Sequence, residues 1–178
     1  MCAISRYHCT MEFESDLDKA LELTATNVSH LLIDKGLVVS TAESCTGGWI
    51  AQVLTSLAGS SAWFDTGFVT YSNEAKQRLL NVPADYFYED APGAVSEETV
   101  RAMTHGAIKS SLARVAVAVS GVAGPAGGSV EKPVGTVWIA WQWDEKTLAQ
   151  CFQFTGDRRQ IRAATVAKAL QGLIDLLC

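Results

Sequence analysis

The sequence predicts an α/β fold, a mixed five-stranded sheet in order 2-1-3-4-5 with strand 4 antiparallel and helices on both faces. Three observations predict it. Strand-like and helix-like segments alternate along most of the chain, the pattern of crossover units. Arg114-Val115-Ala116-Val117-Ala118-Val119-Ser120 is a nearly continuous apolar run rich in β-branched residues, as in a strand buried on both faces. Thr136–Trp143 and Leu148–Phe154 each alternate, and Asp144-Glu145-Lys146 between them reads as the turn of a hairpin. Right-handed crossovers then set strands 1 and 3 side by side at a topological switch point, so that the loops leaving them share one crevice.

Each element has its own signal. Residues 1–14 lack clear periodicity and read as a flexible N-terminal tail, leaving 15–178 as a single domain. A first helix starts at a cap on Ser15 or Asp16, carries Leu17, Leu21, Thr24, Val28, Leu31 and Leu32 on one face, and stops at Gly36. Leu37–Ala42 is strand 1. A helix follows the turn at Ser44 and runs to about Ala58, with Trp49, Ile50, Val53, Leu54 and Leu57 as its apolar positions. Trp63–Tyr71, aromatic and β-branched, is strand 2. Ser72 caps a short helix to Leu80, which Pro83 prevents from continuing. Ser96-Glu97-Glu98 opens a helix carrying Val100, Met103, Ala107 and Ile108, and Asp157 caps a last helix to Leu177. Trp63, Trp138 and Trp141 fall on strands, and the tryptophans of 138–143 suit an oligomer surface.

Composition narrows the function. The 178 residues are 48% hydrophobic and 19% charged, enough for a sizeable core. A net charge of −5 argues against nucleic acid as a partner, since phosphate neutralisation needs clustered Lys and Arg. Five scattered cysteines and three histidines show no zinc spacing, and a reduced compartment is the simplest reading. No apolar run reaches the roughly 18–20 residues of a membrane span and no signal peptide opens the chain, so a cytoplasmic location is expected.

The candidate chemistry gathers at the carboxyl ends of the strands. Ser44, in Thr41-Ala42-Glu43-Ser44-Cys45-Thr46-Gly47-Gly48, lies between a strand and a helix start. A plain helix cap is the simpler reading there, and a nucleophile or an anion site beside the free N–H groups is the alternative. Ser120-Gly121 opens a glycine loop through Gly124 and Gly128 that suits a ribose or phosphate, although neither a Walker A nor a dinucleotide pattern is present. Tyr71 ends strand 2 on the same edge, and Lys76 stands about one turn into the next helix. A lysine whose pKa is lowered there can take a serine's proton, alone or through a tyrosine hydroxyl; a solvated lysine and a core tyrosine are the simpler reading. No histidine is placed for a Ser-His-Asp triad, and Gly47 stands where an SxxK motif needs lysine. Arg158, beginning the last helix, can pair with phosphate or carboxylate.

Taken together and in order, the Thr41–Gly48 run, the Gly67–Lys76 run, Gly121–Gly128 closing on Lys132-Pro133-Val134-Gly135-Thr136, and Gly156-Asp157-Arg158 resemble the CinA C-terminal-domain family. The resemblance covers nearly all of the chain after the tail. It implies a three-layer α/β/α sandwich without metal or cofactor, and a serine nucleophile at Ser44 served by Tyr71 and Lys76. Stand-alone members of the family are amidases that convert nicotinamide mononucleotide to nicotinate mononucleotide and ammonia in pyridine nucleotide salvage; longer relatives carry a further N-terminal domain. Ala126 stands where relatives often carry Asp. On this reading Thr46, Gly47 and Gly48 surround the reacting carboxamide, with N–H groups near Thr46 and Gly47 holding the oxyanion. Ser120, Gly121, Gly124, Gly128 and Arg158 hold the ribose phosphate. A small-molecule nucleotide is then the partner and a homo-oligomer, first of all a dimer, the expected assembly. The alternatives are a non-catalytic pyridine-nucleotide-binding or regulatory module of the same fold, and hydrolysis of a different small amide.

Overall fold

Five strands, β1 (Val39–Glu43), β2 (Phe64–Val69), β3 (Val115–Gly121), β4 (Thr136–Trp143) and β5 (Lys146–Gln153), form one sheet in order β2-β1-β3-β4-β5. The computed structural model describes residues 3–178, with side chains from Asp16 onward. β1 pairs in parallel with β2 and β3; β4 runs antiparallel to both β3 and β5. The order and direction expected from the sequence are those observed. Among the described residues five α-helices pack around the sheet, α1 (Ala3–Asp34), α2 (Trp49–Thr55), α3 (Asn73–Leu80), α4 (Glu97–Lys109) and α5 (Arg158–Leu177).

The alternation of β3 sorts the two layers. Val115, Val117 and Val119 face α1, α2 and α5, in a core with Leu21, Val28, Ile50, Leu54 and Leu170. Ala116 and Ala118 point the other way, with Ala42 and Ala140, and meet Leu80 of α3 and Val100 and Met103 of α4. Bulk on one face and alanine on the other follow from the period of two along a strand. The small residues let the second helical layer approach the sheet closely. α3 and α4 are themselves close, since a Cβ on Gly106 would fall 2.0 Å from the Leu80 carbonyl oxygen.

Several boundaries differ from expectation. The α1 backbone is helical from Ala3, so the expected cap at Ser15 or Asp16 falls within the helix; Met1 and Cys2 of the expected tail lie outside the described residues. Trp63 precedes β2 and is buried beneath α2 rather than lying on the strand. Trp141 belongs to the core, where its Nε1 donates to the Ala169 carbonyl of α5 at 2.8 Å, so it is no surface aromatic. α2 begins at Trp49, well after Ser44, because Gly47 and Gly48 take positive φ values of 63° and 95° that a helix cannot continue through. Among the described residues no helix is long and apolar enough to cross a membrane.

Candidate active site

The carboxyl ends of β1 and β3 lie together, and Ser44 follows β1 directly. Its backbone N–H donates to the Val119 carbonyl at 3.0 Å, extending the β1–β3 ladder by one bond and fixing where the hydroxyl starts. Lys76 arrives from α3, whose N-cap Ser72 accepts from the Ala75 N–H. Its Nζ lies 3.0 Å from Ser44 Oγ and donates to the Thr70 carbonyl at 2.8 Å. Lys76 is only 1% exposed, and Ser44 is buried beside it. Burial disfavours the ammonium, and it lowers the Lys76 pKa from its ordinary 10.5 to about 8 against a small opposing pull from Cys45. A buried lysine within hydrogen-bond reach of a serine hydroxyl is an amine able to take that hydroxyl's proton near neutral pH.

Cys45, the neighbouring thiol, is tuned the other way. Burial raises its pKa to about 11, with Glu43 adding to the rise, so the thiolate is not the resting form.

A cavity of about 220 Å³ opens over Ser44. Its walls include six of the residues singled out from the sequence: Ser44, Tyr71, Lys76, Ser120, Gly121 and Arg158. Tyr71 is 61% exposed at the rim, which corrects the reading of it as a core residue. Its hydroxyl accepts from Arg158 Nη2 at 2.9 Å, while Arg158 Nη1 donates to the Gly124 carbonyl at 2.7 Å. The glycine loop therefore anchors the arginine through one carbonyl. The Ser120 hydroxyl donates to the Ala94 carbonyl at 2.6 Å and so ties the 94–95 segment to the cavity wall.

Five other expected residues lie outside this cavity. Gly124 and Gly128 belong to the loop behind it, which includes a cis Gly124–Pro125 bond. Thr46 is fully buried, its hydroxyl donating to Glu43 Oε2 at 2.6 Å. Gly47 and Gly48 line a separate cavity, with Trp49, Gln52 and Arg162. The Gly47 N–H donates to the Ser44 carbonyl at 3.1 Å and is not free to hold an oxyanion.

Glu43 satisfies the start of α2, and reasoning from the sequence missed it. Its fully buried carboxylate accepts from the N–H groups of Gly48 and Ile50 on one oxygen and of Ala51 on the other. An acidic side chain saturating a helix N-terminus removes that terminus as a substrate site. The signal was present as an acidic residue a few positions before a helix. Arg162 and Asn73 were also missed. Asn73, first residue of α3, lines the Ser44 cavity. Among the described residues no three His, Cys, Asp or Glu side chains cluster.

The description of the family model that matches residues 21–177 is the CinA C-terminal domain. The chain belongs to this family. A relative within it, the nicotinamide-nucleotide amidohydrolase PncC of Pseudomonas putida, is 56% identical over 152 residues, covering 85% of this chain and 94% of that protein. The protein of the same name from Escherichia coli K12 is 49% identical over 159 residues, covering 88% and 94%. Among solved structures, the competence/damage inducible protein CihA from Agrobacterium tumefaciens superposes with a TM-score of 0.85 at 47% identity, covering 88% of this chain and 95% of that one. The five-stranded order and helical layers described above are thus those of a CinA-superfamily protein.

Proposed function

We propose that this chain is an amidohydrolase that converts nicotinamide mononucleotide to nicotinate mononucleotide and ammonia, with Ser44 as nucleophile. The observation that carries the reading is the 3.0 Å approach of the buried Lys76 amine to Ser44 Oγ at the floor of a cavity. The names of relatives at 49–56% identity supply the substrate class.

The steps follow from the groups present. Neutral Lys76 removes the hydroxyl proton while Ser44 Oγ attacks the carboxamide carbon. The Lys76 ammonium returns that proton to the departing nitrogen, and the C–N bond breaks to give ammonia and a nicotinoyl ester on Ser44. Water then attacks the ester with Lys76 again accepting the proton, releasing the carboxylate and the free serine. The pairing of Tyr71 with Arg158 rather than with Ser44 favours Lys76 as the base and gives Tyr71 a place in binding. In this reading Arg158, held by Gly124 and Tyr71 at the cavity rim, meets the nucleotide phosphate, the bidentate partner its guanidinium suits.

Ammonia release from purified protein tests the reading, with nicotinamide mononucleotide and free nicotinamide run side by side. Release is expected from the nucleotide far faster than from the free base, because binding energy from the remote phosphate orients the carboxamide. Arg158→Ala is expected to raise KM for the nucleotide by about tenfold or more, the scale of a lost charge-assisted hydrogen bond. Binding of the nucleotide with no ammonia released would overturn the hydrolytic reading.

A further inference from the structure

The backbone N–H groups that follow Ser44 are largely taken. Gly47 donates to the Ser44 carbonyl at 3.1 Å and Trp49 to the Thr46 carbonyl at 3.4 Å. Gly48, Ile50 and Ala51 all donate to the Glu43 carboxylate. Thr46 has no exposed surface and does not line the Ser44 cavity. On the turn this leaves Cys45, the residue after the nucleophile, in the cavity wall. Where a serine stands on a strand-to-helix turn, the residue after it supplies one oxyanion donor and a different element supplies the second.

α3 carries a group suited to be that second donor. Asn73 is its first residue and stands three before Lys76, so the two are neighbours one turn apart on the helix surface. Lys76 Nζ lies 3.0 Å from Ser44 Oγ, and Asn73 lines the same cavity. The other polar side chains of that wall are engaged: Ser44 with Lys76, Tyr71 with Arg158, Ser120 with the Ala94 carbonyl. Among the described residues the half-buried Asn73 side chain has no hydrogen-bond partner. Its amide carries two N–H donors, which gain most where negative charge develops out of water.

We propose that Asn73 is a catalytic residue whose side-chain N–H donates to the carboxamide oxygen as Ser44 attacks. The proposal rests on the serine mechanism above. As the Oγ–C bond forms, the carbonyl π pair moves onto that oxygen, and it returns as the C–N bond breaks. Asn73 gives up no proton in either step. Its hydrogen bond strengthens with the charge, so it acts on the transition state more than on the bound substrate.

The test compares Asn73→Ala, Asn73→Asp and Ser44→Ala with wild type in the ammonia assay. It adds the affinities for nicotinate mononucleotide and for pyridine-3-boronic acid, whose tetrahedral adduct with a serine oxygen carries the negative charge of the intermediate. Rates are compared on the plateau of each pH profile, since a carboxylate one turn from Lys76 raises its pKa. Asn73→Ala is expected to lower kcat by about 10²-fold, the scale of losing one oxyanion donor, and Asn73→Asp by at least as much. KM stays within about threefold in both, and in Asn73→Ala product affinity does too while boronate affinity falls in parallel with kcat. An acidic residue in the first turn of a helix is favourable, so Asn73→Asp unfolds no earlier than wild type and carries the test if the alanine variant fails to fold. Undiminished kcat in both variants, or a loss confined to KM and product affinity, would overturn the proposal while an inactive Ser44→Ala left the serine mechanism standing. An active Ser44→Ala would overturn that mechanism and this role with it.

Discussion

Replacing Ser44 with alanine is expected to lower kcat for ammonia release by about 10⁴-fold or more, the scale of losing the nucleophile in a serine hydrolase. The fold has little reason to suffer. The Ser44 contact that continues the sheet is its backbone N–H to Val119, which alanine keeps. Lys76 loses one partner but retains the Thr70 carbonyl. Thermal unfolding of Ser44→Ala is therefore expected within a few degrees of wild type, since a single hydroxyl hydrogen bond contributes on the order of 1 kcal/mol. Cys45→Ala, one residue along, is expected to keep turnover, because a thiol raised to about 11 offers almost no thiolate at neutral pH.

Lys76→Met is expected to do two opposite things. Activity falls by about 10²–10⁴-fold, the usual contribution of a positioned general base. In wild type, kcat/KM should climb about tenfold per pH unit below 8 and level off above it, because only the neutral amine accepts the proton and its pKa is about 8. Stability moves the other way. The folded pKa of about 8 lies below the unfolded value of 10.5, so between those pH values the unfolded chain binds more protons and stability rises with pH. Below pH 8 the burial of this amine costs the fold about 3 kcal/mol, partly offset by its bonds to Ser44 and Thr70. Methionine, of similar length and without charge, removes that cost. Urea unfolding at pH 7 should find Lys76→Met at least as stable as wild type, with its relative advantage shrinking from pH 8 to 10.5.

The fold was legible because hydrophobic period and turn chemistry are local. The Val-Ala-Val-Ala-Val run of β3 announces a strand buried on both faces, and the pairing of Val39–Glu43 with Val115–Val119 follows from right-handed crossovers. Ser44 was legible at a strand end and Lys76 one turn into the next helix, but from the residues alone a cap and a solvated lysine were the simpler readings, and the family resemblance was what paired them. Targets of long side chains were not legible. Glu43 reads as one more acidic residue, yet its carboxylate accepts from three N–H groups at the start of α2. Arg158 and Arg162 look equivalent in Asp157-Arg158-Arg159-Gln160-Ile161-Arg162, but only tertiary packing sends one to the cavity and the other to the turn carbonyls. Tyr71 was expected to serve the serine, and it pairs with Arg158 at the rim because β2 is an edge strand whose end faces solvent.

The most direct test of the serine mechanism is the position of the covalent intermediate. Wild-type protein quenched in acid during turnover of nicotinamide mononucleotide is digested and sequenced by fragmentation that separates Ser44 from Cys45. A nicotinoyl ester on Ser44, absent from the Ser44→Ala protein, is the predicted result. A nicotinoyl group on Cys45, or on any other side chain, would contradict it.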